Sequence, residues 1–296
     1  MLIKKLAIAA TFYYSEDRGV VYLEKIAKHF SSLADKVIVH IFTNIYDSDP
    51  RVTLSKVIKQ NTDLEVYIHT YNPLNFKNPY FLTWTHVPFF KYLFESDKSI
   101  THFMYIEADM LITRGNIDYW LTAREQLRPV RLIPSFIRYE LNYNDNNLYA
   151  TDLQHRLDFR YLSHVQISEN YFYLNLRFPY QGMYLLDREL MREHLAGPFL
   201  KYIPNHIWGI PEQAAAGITF LNVPKEFYSR NLIGFDLKTR KLDINSLVHH
   251  TPNNFTNAVK DGVRSDSFGT VPIDEAIIIK FSYGDINAKS SRISIR

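Results

Sequence analysis

The apolar positions of the first hundred residues fall into short blocks separated by helical stripes. Leu6 to Thr11 is a continuous apolar run, as a strand covered on both faces requires. Val20, Leu23, Ala27, Phe30 and Leu33 then recur at the spacing of one helix face. Lys36 to Phe42 predicts a second strand, ending at Thr43-Asn44, and Leu64 to His69 a third. A polar stretch with room for a helix lies between them. Residues 80–95 carry a helical pattern that Pro88 kinks or restarts. Phe103 to Ile106 is a fourth strand, running straight into Glu107-Ala108-Asp109.

The second half is less regular. Arg131 to Phe136 reads as a strand. Residues 139–170 are polar and rich in Asn and Tyr, which predicts a loop or inserted helix over a site. Tyr180 to Leu186 reads as a strand interrupted by Gly182. Asp187 to Leu195 reads as a helix closed by Gly197-Pro198, and Pro211 to Phe220 as a short helix. Strands alternating with helices imply an α/β fold around a mostly parallel sheet, and such sheets bind ligands at the carboxyl ends of their strands. Thr11, Asn44 and the Glu107–Asp109 turn lie at such ends. With no internal repeat and no low-complexity linker, one domain over residues 1–260 is expected. Residues 261–296 then form a C-terminal extension holding the Ala276-Ile277-Ile278-Ile279 run and a basic tail.

Composition adds a few bounds. The 296 residues can bury a full core. There are 21 Tyr, 20 Phe and 3 Trp; Tyr and Trp pair an apolar face with a polar tip, which suits sugars, although core filling accounts for most aromatics. The chain has no cysteine, which excludes disulfides and thiolate metal sites and fits a reducing compartment. A net charge of +3 with scattered Lys and Arg argues against a nucleic-acid face. No apolar run reaches the length of a membrane span, and the opening Met1 to Ala10 is read as a first core strand rather than a signal segment.

Four features could carry chemistry. In Tyr105-Ile106-Glu107-Ala108-Asp109-Met110-Leu111-Ile112 two carboxylates interrupt an apolar run, so they either sit at a solvated strand end or bind a cation. Mg²⁺ and Mn²⁺ favour such oxygen ligands, completed by substrate phosphates. Gly182, within Gln181-Gly182-Met183, marks a close ligand approach or a β-bulge. Pro211-Glu212-Gln213 suits a first helical turn, where Glu212 either complements the helix dipole or serves as a general base. His249 and His250 are adjacent on an expected strand and point to opposite faces, so one could ligate a metal while the other packs.

Taken in order, these features resemble the common core of GT-A glycosyltransferases, and the resemblance spans residues 4–255. It implies a Rossmann-like sheet flanked by helices. It places a D-x-D-like metal motif at Glu107 and Asp109, a donor-sugar segment at Gln181, Gly182 and Met183, the acid at a helix start at Glu212, and the C-terminal metal histidine at His249 or His250. It puts nucleotide base and ribose against Thr11 and Asn44. Trp84, His86 and Lys91 lie just before the metal motif and are candidates to line the donor pocket, with Arg138 and Glu140 towards the acceptor. Two departures stand out: the first acid is Glu, and Gln213 stands where many inverting members carry an acid and cannot accept a proton.

The implied activity is transfer of a sugar from a nucleotide-diphosphate donor, UDP-sugar favoured, to a glycan or glycolipid hydroxyl, with Mn²⁺ or Mg²⁺ as Lewis acid. The setting this suggests is a cytoplasmic enzyme of bacterial surface polysaccharide synthesis, with loose membrane contact through Lys289, Arg292 and Arg296. A sugar nucleotidyltransferase is the alternative enzyme, disfavoured because Phe12-Tyr13-Tyr14-Ser15-Glu16-Asp17 lacks a Gly-rich phosphate loop. A non-catalytic nucleotide-sugar-binding module is the alternative outside enzymes.

Overall fold

The computed structural model describes residues 2–15, 20–45, 54, 58, 64–153, 156–179, 182–204, 208–257, 259–260, 263–264, 271–278 and 292–294. The chain is α/β with several sheets and gathers into two compact units. One comprises residues 1–114 and 182–218, the other 115–181 and 219–296.

The first unit is built on strands β1 (Lys5–Phe12), β2 (Lys36–Thr43), β3 (Glu65–Thr70), β4 (His102–Glu107) and β5 (Met183–Asp187), in the order β5-β4-β1-β2-β3. The pairings β1–β2, β1–β4 and β2–β3 are parallel, and β5 runs antiparallel to β4. Leu6 to Ala10 of β1 have no exposed surface, which is why the sequence there is apolar without alternation. Helix α1 (Val21–Phe30) buries Leu23, Ile26, Ala27 and Phe30, the stripe expected from the spacing. The helix expected between β2 and β3 lies mostly outside the described residues; Leu54 and Ile58, four apart, are helical and buried.

Pro88 restarts the next helix. A 3₁₀ stretch, Pro79–Trp84, gives way to α2 (His86–Ser96), in which Pro88 falls in the first turn, where a missing N–H costs nothing. Helix α3 (Arg188–Ala196) is capped by Asp187, whose carboxylate accepts from the Leu190 N–H at 2.8 Å, and closes at Gly197 as expected. Helix α4 (Ile210–Ala216) is shorter than the run to Phe220 that the sequence suggested, because Gly217 at φ +55° ends it.

The second unit departs most from expectation. The expected loop or inserted helix over 139–170 is β structure instead. It includes Ile137–Leu141, Leu148–Ala150 and His164–Gln166. The strand expected over Arg131–Phe136 is reduced to Ile133–Pro134. Tyr171–Asn175 pairs antiparallel with both His164–Gln166 and Asn231–Asp236. Ile137–Leu141 pairs parallel with Leu247–His250. Taken together the sheets are mixed, which corrects the expectation of a mostly parallel architecture. The core of this unit includes Phe159, Phe172, Leu174, Ile233 and Phe235. The helix Arg114–Leu127 was not foreseen. Its Asn116 amide donates to the Asn245 and Leu247 carbonyls, both at 2.8 Å. Of the expected extension, residues 261–262, 265–270, 279–291 and 295–296 lie outside the described residues, including Lys289 and Arg296. Among the described residues no helix is long and apolar enough to cross a membrane.

Candidate active site at the carboxyl edge of the first sheet

From β1 the chain steps outward to β2 and β3, then returns to the other side of β1 to form β4. Open parallel sheets bind ligands outside the carboxyl ends of the strands at such a reversal, here the ends of β1 and β4. The residues at those ends are Thr11 and Glu107, partners in the ladder. The backbone of the acidic turn is tied on both sides. The Glu107 N–H donates to the Gly182 carbonyl at 2.9 Å, and the Ala108 N–H donates to the Thr11 carbonyl at 3.1 Å.

Gly182 sits at φ +63°, a conformation suited to glycine. A Cβ there would lie 3.1 Å from Glu107 Oε2 and 3.0 Å from Met110 Cγ, so the Glu107 carboxylate rests over the bare glycine. Three features separated in sequence thus meet: the end of β1, the acidic turn and the glycine segment. Asp109 is half-buried two residues on. Gln181 lies outside the described residues, and Met183 is fully buried within β5, in the core rather than against a ligand.

Behind the carboxylates, on the same sheet face, stands a buried column that sequence reasoning missed. Tyr105 is fully buried; burial, then the Glu107 carboxylate, holds its phenol well above the usual range. The Tyr105 and Thr11 hydroxyls lie close together, outside good hydrogen-bond geometry, and each is buried without a hydrogen-bond partner. His86 stacks on Tyr105 with centroids 4.1 Å apart. It donates Nδ1–H to the Thr83 carbonyl at 2.5 Å and accepts at Nε2 from the Tyr184 hydroxyl at 2.7 Å. Burial lowers its pKa to about 3, and that of neighbouring His194 to about 4. His86 is therefore a neutral core residue with no exposed surface, which corrects its expected place in a donor pocket. The one available signal was Tyr105, two residues before Glu107 and hence on its face.

Other candidates are placed as follows. The Asn44 amide forms two bonds to the Tyr14 backbone, at 2.6 and 3.0 Å, and is engaged in joining the ends of β1 and β2. Trp84 donates Nε1–H to the Ile210 carbonyl at 2.9 Å and lines a cleft. Lys91 is exposed on α2.

Glu212 occupies the first turn of α4, as expected. Its carboxylate folds back over Gly209, in the space that a Cβ there would fill, and its Oε2 is buried without a hydrogen-bond partner. Gln213 has a separate task. Its carbonyl accepts from the Ile203 N–H at 3.0 Å, and its Nε2 donates to the Ile203 and Trp208 carbonyls at 2.8 and 3.1 Å. A carboxylate cannot donate, so an acid at 213 would lose this clamp.

His249 and His250 belong to the second unit. The His250 imidazole is buried with Nδ1 2.5 Å from Glu140 Oε1, and the other Glu140 oxygen accepts from the Thr256 N–H at 2.6 Å. His249 stacks on Tyr139 with centroids 4.9 Å apart, and its Nε2 lies 2.9 Å from Asn253 Oδ1. Arg138 is buried and paired with Asp152 at 2.7 Å. Arg138 and Glu140 are therefore interior residues rather than an acceptor face. Among the described residues no three or more His, Asp or Glu side chains gather to hold a metal. The pair Glu107 and Asp109 suits an ion that takes its remaining ligands from phosphate and water, and it does not suit a closed structural site.

No family model matches this chain, and no curated protein sequence matches it. Among solved structures it is similar to a crystal structure of GalNAc-T7 with UDP, GalNAc and Mn²⁺. The identity is 12% and the TM-score 0.47, over 88% of this chain and 44% of that chain. The chain thus spans less than half the length of that protein.

Proposed function

We propose that this chain is a metal-dependent glycosyltransferase of the GT-A type, moving a sugar from a nucleotide-diphosphate donor to a hydroxyl acceptor. The observation that carries the reading is the meeting of Thr11, the Glu107–Asp109 turn and Gly182 at the strand ends where the strand order reverses. A carboxylate pair at that edge, backed by neutral groups, is arranged for a cation that itself holds a diphosphate.

In this reading Asp109, with Glu107, holds Mn²⁺ or Mg²⁺. The ion, when bound, neutralises charge growing on the departing diphosphate. Gly182 leaves room for Glu107 and brings the β5 backbone against it. Thr11, at the end of β1, fixes the acidic turn through its carbonyl, which accepts from the Ala108 N–H. Glu212 accepts the proton of the attacking hydroxyl, since its buried Oε2 has no partner to compete for it. Gln213 holds the preceding loop and takes no part in proton transfer. A UDP-sugar donor and a glycan or glycolipid acceptor complete the proposal.

The test is hydrolysis and transfer with a panel of nucleotide-sugars and Mn²⁺, alongside thermal shift, since a ligand that binds the native state raises its apparent stability. Asp109→Asn is expected to abolish metal-dependent turnover and the metal-dependent part of the shift. Full activity and full Mn²⁺ affinity in that variant would sink the proposed site.

A further inference from the structure

The stretch between β3 and α2 forms a cleft of about 340 Å³ within the first unit, lined by Asn75, Phe76, Lys77, Phe81, Trp84 and Thr85. Three of its six walls are aromatic rings, and each is held from behind. Phe76 packs against Tyr71 with centroids 6.1 Å apart, and Phe81 meets Tyr202 edge-on at 5.6 Å. Trp84 is fixed by its hydrogen bond to the Ile210 carbonyl. That bond occupies the indole N–H, so Trp84 can offer a ligand only its ring. Lys77 and Asn75 are exposed at the same cleft and supply one positive charge and one amide. Rings held in place before binding lose little entropy when a ligand arrives.

We infer that this cleft binds a sugar ring carrying an anionic group, either a carboxylate or a phosphate. The inference rests on the glycosyltransferase reading for its role, as a subsite for part of the sugar substrate. The chemistry follows from the walls. An aromatic face packs against the apolar C–H face of a sugar ring, and an amide and an ammonium at the rim take hydroxyls and a negative charge. Size separates ligand classes. Small-molecule sites run to about 300–1,000 Å³, so this cleft is at the small end and takes one ring rather than a nucleoside diphosphate. Position adds a link to the proposed chemistry. Trp84 is bonded to the first residue of α4, two residues before Glu212, so a ring seated on Trp84 rests on a side chain anchored to the helix that carries the proposed base.

The experiment follows tryptophan fluorescence of the full chain without nucleotide or metal. The probes are methyl β-glucuronide, glucose 6-phosphate, neutral methyl β-glucoside and UMP. Both anionic sugars are expected to bind about two- to five-fold more tightly than the neutral one, the range of a single exposed charge pair, with the preference fading in high salt. If only one anionic sugar shows this preference, it identifies the group, carboxylate or phosphate, that the cleft takes. Lys77→Ala is expected to erase the preference and leave the neutral sugar unchanged. Phe81→Ala is expected to weaken every sugar by about ten-fold, the upper worth of an aromatic contact. Trp84→Phe removes the cleft's fluorophore, so it is read by calorimetric titration; it keeps a ring while dropping the N–H, and should bind nearly as the wild type if it stays folded by circular dichroism. Absence of sugar binding overturns the inference, as does UMP binding more tightly than the sugars, or a charge preference that survives Lys77→Ala. Nucleotide-sugar hydrolysis with Mn²⁺, measured on the same proteins, separates the two readings. Hydrolysis without sugar binding removes only this subsite; sugar binding without hydrolysis removes the transferase reading and leaves the cleft.

Discussion

Gly182→Ala tests the link between backbone geometry and the acidic turn. The glycine sits at φ +63°, where an L-residue with a Cβ costs about 1–2 kcal/mol. The new methyl group would then lie 3.0 Å from Met110 Cγ and 3.1 Å from Glu107 Oε2, both closer than ordinary contact. Met110 is fully buried and cannot easily retreat, so overpacking adds about 1–3 kcal/mol. Glu107 is only half-buried and can swing away, which displaces a proposed metal ligand. The sum is about 2–5 kcal/mol of lost stability, together with weaker Mn²⁺ binding. Urea unfolding reads the first and calorimetric titration of Mn²⁺ the second. Gly182→Asn separates the causes. Asn tolerates left-handed backbone better than Ala but carries the same Cβ, so it should recover part of the stability and none of the metal affinity. An alanine variant within about 0.5 kcal/mol of wild type with unchanged Mn²⁺ affinity would refute both halves of the reasoning.

Gly209→Ala is the companion case: φ is an ordinary −72°, so the added methyl should displace the Glu212 carboxylate with little loss of stability. Sugar transfer should fall while Mn²⁺ binding holds, and undiminished transfer would remove Glu212 as the base. Gln213→Glu keeps the acceptor but loses two donated hydrogen bonds, about 1–3 kcal/mol in all, and should expose the loop before α4 to limited proteolysis without raising activity. Acid should destabilise the first unit through its buried histidines. Burial lowers His40 and His86 to about 3 and His194 to about 4, below the unfolded value of 6.5. The unfolded chain therefore binds more protons, so this stability is complete above about pH 6.5 and drains away as pH falls, down to about pH 4 for His194 and about pH 3 for His40 and His86, at about 2 kcal/mol per histidine by pH 5. Equal urea midpoints at pH 7 and pH 5 would contradict it. Glu140→Ala leaves His250 and the Thr256 N–H without their partner and should cost about 3–5 kcal/mol, read as a lowered denaturation midpoint.

The first unit was legible because β1, β2 and β4 are buried on both faces. They announce themselves as apolar runs, broken only by His40 in β2, and the ends of β1 and β4, Thr11 and Glu107, stand out as the first polar groups. The second unit offered no such contrast. Several of its strands have two or three residues, such as Leu148–Ala150, too short for a period of two to register. Ile137–Leu141 pairs with Leu247–His250, more than a hundred residues later, so neither segment carries a local mark of the other. The helix Arg114–Leu127 was hidden by Gly115, Asn116 and Asp118 in its first turns. Asn116 lies on the buried side because its amide satisfies two carbonyls, so a polar residue sits where periodicity looks for an apolar one. The same limit governs the candidate site. An adjacent pair of histidines cannot reveal that Glu140 holds one of them, nor can Gln213 in isolation reveal that it ties down the Ile203 backbone.

The buried column behind the acidic turn bears on why two carboxylates stand at that edge. Burial raises the phenols of Tyr105 and Tyr184 well above their usual range and lowers His86 and His194 far below neutrality. All four are therefore uncharged at pH 7, and none supplies a positive charge beneath Glu107. A charged imidazole there would act as a built-in counter-ion and compete with a metal for the carboxylate. Neutral groups satisfy part of the buried hydrogen bonding, through the Tyr184 hydroxyl to His86 and His86 to the Thr83 carbonyl, without offsetting the negative charge. Fixing the His86 tautomer through Thr83 also fixes which nitrogen accepts, so the column has one arrangement rather than several. The sheet thus keeps its interior neutral behind the acidic turn, which is the electrostatic condition that the proposed cation site requires.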